Sequence, residues 1–309
     1  MVVSLIQQRC FESKEESRAR SLELLERAEG ELIVLPELHE SHYFCKTEDP
    51  RFFQLAEGFQ ESVEFWRGVS RKLDRVLIVS LFEKGIDGVY YNTALALDRG
   101  EVAGYYRKTH IPDDPGFYEK FYFTPGDRIE PIETSVGRLG LLICWGQWYP
   151  EPARIIGLKG AEILIYPTAI GWLRCPTDRV DPLCEEEQDP AEERKMVEAW
   201  IGVQRGHGIA NGLPVVAVNR VGFEPDPSGC LGGIQFWGRS FGVGPQGELL
   251  GMAGEGEEVL NLEIDLNRGK EVRKIWPFFR DRRVDLYREL EARSFNWLDR
   301  EFPGEGRKG

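Results

Sequence analysis

Short apolar segments of strand character alternate with helical patterns along this chain, and that alternation restricts the fold more than any other feature. Helical patterns extend over Phe52–Leu73, Pro150–Leu158 and Glu192–Ile209, and Ser13 with Glu16 three residues later is typical of a capped helix start. The apolar runs too short for helices include Val2–Gln8, Leu32–Leu35, Val76–Leu81, Leu139–Ile143, Ile163–Tyr166 and Val215–Val218. This order predicts an α/β protein with layered, mixed sheets.

The composition excludes several classes of protein. With 41% hydrophobic residues, 8 Trp and 17 Phe, the chain can fill a substantial core. Pro and Gly are scattered and not pooled in a linker, so we expect one domain over residues 1–309. A net charge of −13 argues against a nucleic-acid partner, since phosphate contacts need clustered Lys and Arg.

The cysteines and the lengths of the apolar segments indicate the cellular location of the protein. No segment approaches the length that crosses a membrane, and the N-terminus lacks a basic leader followed by an apolar run. The six cysteines contain no CxxC pair. We therefore expect no membrane partner, reduced thiols and a cytoplasmic location.

Cys144 occupies the most suggestive position among the cysteines. The apolar strand Leu139–Ile143 runs directly into it, and a helix is predicted to begin at Pro150. A thiol at such a turn lies close to free backbone N–H groups, which lower a thiol pKa and can bind an oxyanion. The alternative is a buried cysteine that only fills the core.

Two further reactive residues follow predicted strands. Glu37 comes just after Leu32–Leu35, and Lys108 follows the run that ends at Tyr106. Since α/β sheets gather ligands and catalysts at the carboxyl ends of their strands, we expect acid, amine and thiol to converge. Taken singly, Glu37 could cap a helix and Lys108 could be a solvated side chain.

These residues lie in blocks that resemble the three signatures of the nitrilase, or carbon–nitrogen hydrolase, superfamily, closest to its N-carbamoylputrescine amidase branch. The blocks are Pro36-Glu37, Arg107–Pro112 followed by Pro115–Phe123, and Ile143-Cys144-Trp145. The resemblance implies a four-layer α-β-β-α sandwich with Glu37, Lys108 and Cys144 as catalytic triad. It further implies Glu119 as a supporting carboxylate and the backbone N–H of Trp145 as an oxyanion donor. It implies neither a cofactor nor a metal.

The same resemblance implies cysteine-dependent hydrolysis of an N-carbamoyl amine to amine, CO2 and ammonia, in polyamine biosynthesis. The chain departs from the branch at Gly146 and Leu173, where acidic residues are usual, and Arg174 follows. The candidate pocket residues are His110, Gly146, Trp172, Leu173 and Arg174. Alternatives with the same triad are an amidase or ω-amidase, an N-carbamoyl amino acid amidohydrolase or a nitrilase. From another class, a catalytically silent interaction protein should have lost a triad member.

Three other sequence patterns allow alternative functional sites. Gly238–Gly242 matches the GxSxG pattern of serine hydrolases, and His39, His42 and Cys45 could in principle bind zinc. The acidic run Glu185–Glu187 could bind an ammonium group of the substrate, in place of the acidic residue that is absent at Leu173. The C-terminal extension, residues 265–309, is expected to pack on a neighbouring subunit in a homodimer or larger assembly.

Overall fold

The computed structural model describes residues 1–175 and 189–294. Within that part of the chain the strands are β1 (Val2–Gln7), β2 (Leu32–Val34), β3 (Val76–Lys84), β4 (Tyr90–Asp98), β5 (Glu101–Arg107), β6 (Ile132–Thr134), β7 (Gly137–Leu141), β8 (Ile163–Pro167), β9 (Gly171–Arg174), β10 (Val215–Val218), β11 (Val221–Pro225), β12 (Gly233–Trp237), β13 (Phe241–Val243), β14 (Leu249–Met252) and β15 (Glu258–Glu263). The α-helices are α1 (Lys14–Leu25), α2 (Phe59–Leu73), α3 (Pro150–Leu158), α4 (Pro190–Asn211) and α5 (Leu266–Ile275).

The strands form two six-stranded sheets and one small sheet. The first sheet has the order β15-β1-β2-β3-β4-β5, and the second has the order β14-β13-β10-β8-β7-β6. In each sheet three central strands are parallel, and the strands outside them pair antiparallel. The small sheet has the order β11-β12-β9. The prediction of mixed sheets is therefore confirmed.

The layers follow from the alternation of side chains along β3. Leu77 and Val79 pack with Trp66 of α2 and with the end of α1, on the outer face of the first sheet. Val76 and Ile78 belong to the core that also contains the second sheet and parts of α3 and α4. Because successive strand residues point to opposite faces, each sheet is covered on both sides. The predicted four-layer α-β-β-α sandwich is confirmed.

Local signals in the sequence set several element boundaries. Ser13 caps α1 by accepting a hydrogen bond from the Glu16 N–H. The turn between β4 and β5 has positive φ at both central residues, Arg99 (51°) and Gly100 (91°), as a tight hairpin requires. The helix predicted over Phe52–Leu73 is wrong in its first part, which is the 3₁₀ helix Pro50–Gly58. Gly58 separates the two pieces, since glycine is a weak helix former.

The cysteines are only partly as expected. Cys10, Cys45 and Cys144 are buried free thiols, and Cys230 is an exposed one. Cys175 is disulfide-bonded, so the prediction of reduced thiols throughout is wrong for this residue. Among the described residues, no helix is both long and apolar enough to cross a membrane.

Candidate active site

Three strands of the two large sheets end close to the residues predicted to react. β2 ends at Val34 and leads to Glu37, β5 ends directly before Lys108, and β7 ends three residues before Cys144. The charges of Glu37 and Lys108 both act on the Cys144 thiol. The chain therefore brings acid, amine and thiol into one site, although they belong to different sheets.

Lys108 is the centre of a buried ionic cluster. Its Nζ lies 2.7 Å from Oε1 of Glu37, and 2.8 and 2.7 Å from the two carboxylate oxygens of Glu119. All three side chains are fully buried. A buried ammonium is tolerated only with such close partners, because desolvation of an unpaired charge costs several kcal/mol.

Burial and charge act in opposite directions on this cluster. Burial alone lowers the pKa of Lys108, but the negative charges of Glu119 and Glu37 outweigh it and raise that pKa well above its usual value. Burial raises the pKa of Glu119, partly offset by Lys108. Lys108 therefore carries a positive charge at neutral pH.

An aromatic cluster holds Glu119 in place. The Tyr43 hydroxyl donates to Oε1 of Glu119 at 2.6 Å, and Tyr43 packs against Phe117 and Phe236. Glu119 begins a short 3₁₀ helix that ends at Phe121. The carboxylate is therefore fixed by packing and not only by its bonds to Lys108.

Glu37 is held through one oxygen only. Nδ2 of Asn92 donates to its Oε1 at 2.6 Å, and the Ser80 hydroxyl donates to Oδ1 of Asn92 at 3.1 Å. Ser80 in turn accepts the N–H of Leu38 at 3.2 Å. Oε2 of Glu37 is buried and has no hydrogen-bond partner within the described residues. One oxygen is thus restrained, and the other is available to accept a proton.

Arg220 fixes the backbone that carries Glu37. Its guanidinium donates to the carbonyl oxygens of Glu37 and Leu38 at 2.7 and 2.9 Å, and pairs with Glu224 at 2.8 Å. Leu38 has a φ of 47°, a left-handed conformation that costs about 1 to 2 kcal/mol for a residue with a Cβ. Lys46 also lies 3.2 Å from Glu224. The buried pair thereby stabilises a strained loop beside the site.

Cys144 lies on a strained turn. It has a φ of 37° and begins the 3₁₀ helix Cys144–Trp148, in which the Gly146 N–H donates to the Ile143 carbonyl at 3.0 Å. Its sulfur lies 3.7 Å from the carbonyl oxygen of Ala169. A left-handed conformation is uncommon for a residue other than glycine, and strained residues of this kind cluster at active sites.

The thiol of Cys144 is protonated at neutral pH. Burial raises its pKa well above the usual value, and the charge of Glu37 raises it further, while Lys108 lowers it. Desolvation of a buried thiolate therefore dominates the pKa of this thiol. A base has to remove the proton when the thiol reacts.

A cavity of about 520 Å³ opens onto Cys144. Its lining is mainly aromatic and aliphatic. The described lining residues are Pro112, Asp114, Pro115, Phe117, Cys144, Trp145, Gln147, Trp148, Ala169, Ile170, Gly171, Trp172, Leu173, Met196 and Trp237. Cys144 retains 6% exposure. A small molecule can therefore reach the sulfur while most of its surface contacts apolar side chains.

Only some of the predicted pocket residues line this cavity. Trp172 and Leu173 do. His110 instead stacks on Tyr149 at 3.9 Å between ring centroids. Gly146 is a buried part of the 3₁₀ helix that Cys144 begins, and a Cβ added there would have no atom within 4 Å. Arg174 pairs with Glu193 of α4 at 3.1 Å. The acidic run 185–187 lies outside the described residues.

The other two patterns have structural roles. Ser240 of the GxSxG match is fully buried between β12 and β13, where its hydroxyl accepts the Asn219 N–H at 2.9 Å. His39 packs edge-on against Trp66. Within residues 1–175 and 189–294, no group of three His, Cys, Asp or Glu side chains is arranged to hold a metal ion.

The α-β-β-α sandwich and the match of residues 3–274 to the carbon-nitrogen hydrolase profile define the class of the protein. The chain belongs to the carbon–nitrogen hydrolase family and is an enzyme that hydrolyses carbon–nitrogen bonds. The family assigned from the sequence motifs is confirmed.

Several proteins with named activities, and several solved structures, are similar to this chain. The chain is 40% identical to an N-carbamoylputrescine amidase of Solanum tuberosum, over 84% of this chain and 83% of that one. It is 36% identical to a citrullinase of Francisella tularensis, over 84% and 86%. Among solved structures, a carbon-nitrogen hydrolase from Helicobacter pylori G27 superposes with a TM-score of 0.90 at 50% identity, covering 96% of this chain and 99% of that one.

Proposed function

We propose that the protein hydrolyses an N-carbamoyl amine with a cationic tail, such as N-carbamoylputrescine, with Cys144 as nucleophile, Glu37 as proton shuttle and Lys108 as a fixed positive charge. The observation that carries the proposal is the buried cluster of Glu37, Lys108 and Glu119 beside a thiol at the floor of one apolar cavity. The amidase name of the relatives supports the substrate class.

The first step is attack of sulfur on the ureido carbonyl carbon. Because the Cys144 thiol is protonated, Glu37 takes its proton through the unpartnered Oε2 as the C–S bond forms. The negative charge that develops on the carbonyl oxygen is stabilised by Lys108 and by the backbone N–H of Trp145. Each such donor contributes about 3 kcal/mol to transition-state stabilisation.

The second step expels the amine. Glu37 returns the proton to the leaving nitrogen, the C–N bond breaks and a carbamoyl group remains on Cys144. Glu37 then removes a proton from water, which attacks the carbamoyl carbon and releases the thiol. The carbamate formed breaks down to CO2 and ammonia, so one water is consumed overall.

Glu119 has a supporting role in this scheme. It is bonded to Lys108 through both oxygens and is itself held by Tyr43. It therefore orients the ammonium group and leaves Glu37 free to exchange a proton.

Hydrolysis of a simple aliphatic amide is the second candidate function. Leu173 and the aromatic walls give the described part of the cavity an apolar character, which also suits a neutral acyl chain. Such a substrate would pass through a thioester on Cys144 with the same proton transfers.

An ammonia-release assay tests both candidate functions, hydrolysis of an N-carbamoyl amine and hydrolysis of an aliphatic amide. Wild type should favour N-carbamoylputrescine over L-citrulline, which differs only by a carboxylate on the tail, and over butyramide. Cys144→Ala should abolish turnover, and Cys230→Ala, which removes an exposed free thiol, should not change it. Ammonia release by Cys144→Ala above trace level would refute the assignment of the nucleophile.

We also propose that the C-terminal extension packs on a second copy of the chain. Ile275, Trp276, Leu286 and Leu290 are each more than half exposed, which leaves a large apolar surface without cover. Light scattering should give a dimer or larger for wild type and a smaller species for Trp276→Asp with Leu286→Asp. The single domain over 1–309, the cytoplasmic location and the place in polyamine biosynthesis remain predictions.

A further inference from the structure

Asp114 differs from every other described residue of the cavity in carrying a carboxylate. The remaining described lining consists of apolar and aromatic side chains, the amide of Gln147, the backbone of Gly171 and the thiol of Cys144. Asp114 is exposed, whereas Cys144 is buried. The carboxylate therefore lies at the entrance of the cavity and the thiol at its floor.

The position of Asp114 is fixed by a tight turn. The Phe117 N–H donates to the Asp114 carbonyl at 2.8 Å, with Pro115 and Gly116 as the central residues. Gly116 has a φ of 79°, as the third position of a type II turn requires. A Cβ on Gly116 would lie 2.9 Å from Cδ1 of Leu173, so the turn packs directly on β9. The backbone of Asp114 is therefore held at the entrance of the cavity by a turn that packs on β9.

The walls between the rim and the floor suit a chain with a positive end. Trp145, Trp148, Trp172, Trp237 and Phe117 all contribute to the lining. Such rings contact methylene groups through their faces and attract an ammonium group through the same faces. A linear molecule with an amide-type head at Cys144 would thus run along aromatic surface toward Asp114.

The nearby charged residues do not compete for this role. Arg174 is paired with Glu193 and does not line the cavity. The neighbouring carboxylate, Asp113, lies 3.9 Å from Lys120 and is likewise absent from the lining. Among the described residues, Asp114 is therefore the acidic group available to a bound cation.

We infer that Asp114 is a specificity-determining residue that binds the cationic end of the substrate. This inference rests on the proposed function, because it concerns the tail of the same N-carbamoyl amine. Leu173 is apolar and cannot bind the ammonium group of the substrate. The inference assigns that binding to the rim of the cavity. It also predicts rejection of a substrate whose tail carries a carboxylate, since like charges would meet at the rim.

The test uses two ureas of nearly equal shape. N-carbamoylputrescine ends in an ammonium group, and pentylurea has a methyl group in its place. Ammonia release is measured for wild type, Asp114→Asn and the matched control Asp113→Asn. We expect Asp114→Asn to raise KM for N-carbamoylputrescine about 2- to 5-fold, with kcat nearly unchanged. Pentylurea kinetics should not change, and Asp113→Asn should behave as wild type.

The outcomes separate this inference from the proposed function. If wild type releases ammonia from butyramide but from neither urea, the proposed function fails before any variant is compared. If wild type prefers N-carbamoylputrescine and Asp114→Asn keeps the same preference over pentylurea, the role of Asp114 is refuted and the proposed function stands. Equal loss on both ureas would mean that Asp114 only maintains the turn, which also refutes it.

Discussion

Asn92→Leu removes the donor that restrains Glu37 while leaving the backbone around it intact. Asn92 is buried in β4, and its Nδ2 lies 2.6 Å from Oε1 of Glu37. The backbone carbonyl oxygen of Asn92 accepts the backbone N–H of Lys108 at 2.9 Å, a bond that the substitution retains. Leucine has a similar shape and cannot donate. The variant therefore tests one hydrogen bond within the ionic cluster.

The size of the effect follows from the type of bond. A hydrogen bond to a charged group contributes about 1.5 to 3 kcal/mol, which corresponds to about a 10- to 150-fold loss of kcat. Ser80→Ala removes only neutral bonds at 3.1 and 3.2 Å, worth about 1 kcal/mol, and should cost about fivefold. Because Asn92 does not line the cavity, KM should change little in either variant.

The assay is steady-state ammonia release, with circular dichroism melting of each variant as a control for folding. The expected order of kcat is wild type, then Ser80→Ala, then Asn92→Leu, at similar KM. If Asn92→Leu kept kcat within twofold of wild type and remained folded, the restraint of Glu37 by Asn92 would be irrelevant to turnover and the reasoning would fail.

Three further predictions concern buried charge. Because burial raises the pKa of Cys144, the difference in thiolate absorbance between wild type and Cys144→Ala should be absent at pH 7; a clear thiolate band there would contradict this. Burial lowers the pKa of His39 to about 4, so the unfolded state binds more protons between pH 6.5 and 4, and the free energy of unfolding should fall by about 3 kcal/mol as pH drops through that window. Urea unfolding of His39→Phe should lack that part of the pH dependence, and an unchanged profile would refute it. Arg220→Leu should destabilise the fold by about 3 to 5 kcal/mol, because it removes the guanidinium partner of Glu224 and leaves this buried carboxylate with Lys46 and the Tyr43 N–H. A loss below about 1 kcal/mol by urea unfolding would argue against this pair as a stabiliser.

The reactive residues could be located from the sequence because each follows an apolar strand. Glu37, Lys108 and Cys144 come within three residues of the ends of β2, β5 and β7, and strand ends are where α/β proteins place such groups. The role of Asn92 is indicated more weakly, by its amide side chain within the mainly apolar strand β4. A polar side chain on a buried face needs a partner, and that partner is Glu37.

Other parts of the site left no such signal. Arg220 donates to two backbone carbonyls beside Glu37, and backbone acceptors have no pattern in the sequence. Asp114 could not be recognised from the sequence, since Pro115 and Gly116 indicate only a turn. That the turn faces Leu173 depends on the pairing of β9 with β12. Long-range packing of this kind is decided by the whole fold.

The charged groups of the site lie in two regions: the buried cluster of Glu37, Lys108 and Glu119, and the Asp114 carboxylate at the entrance of the cavity. Because these regions are separate, the reactivity of Cys144 and the recognition of the substrate's tail can vary independently. The buried cluster has one more carboxylate than ammonium group, so a thiolate on Cys144 would add a second excess negative charge in a region of low dielectric. Proton transfer to Glu37 removes that cost, because the negative charge moves from carboxylate to substrate instead of accumulating. Asp114 is exposed, so water and salt screen its charge. A substitution at the rim should consequently change which tail binds while leaving the proton transfer at Cys144 as it was.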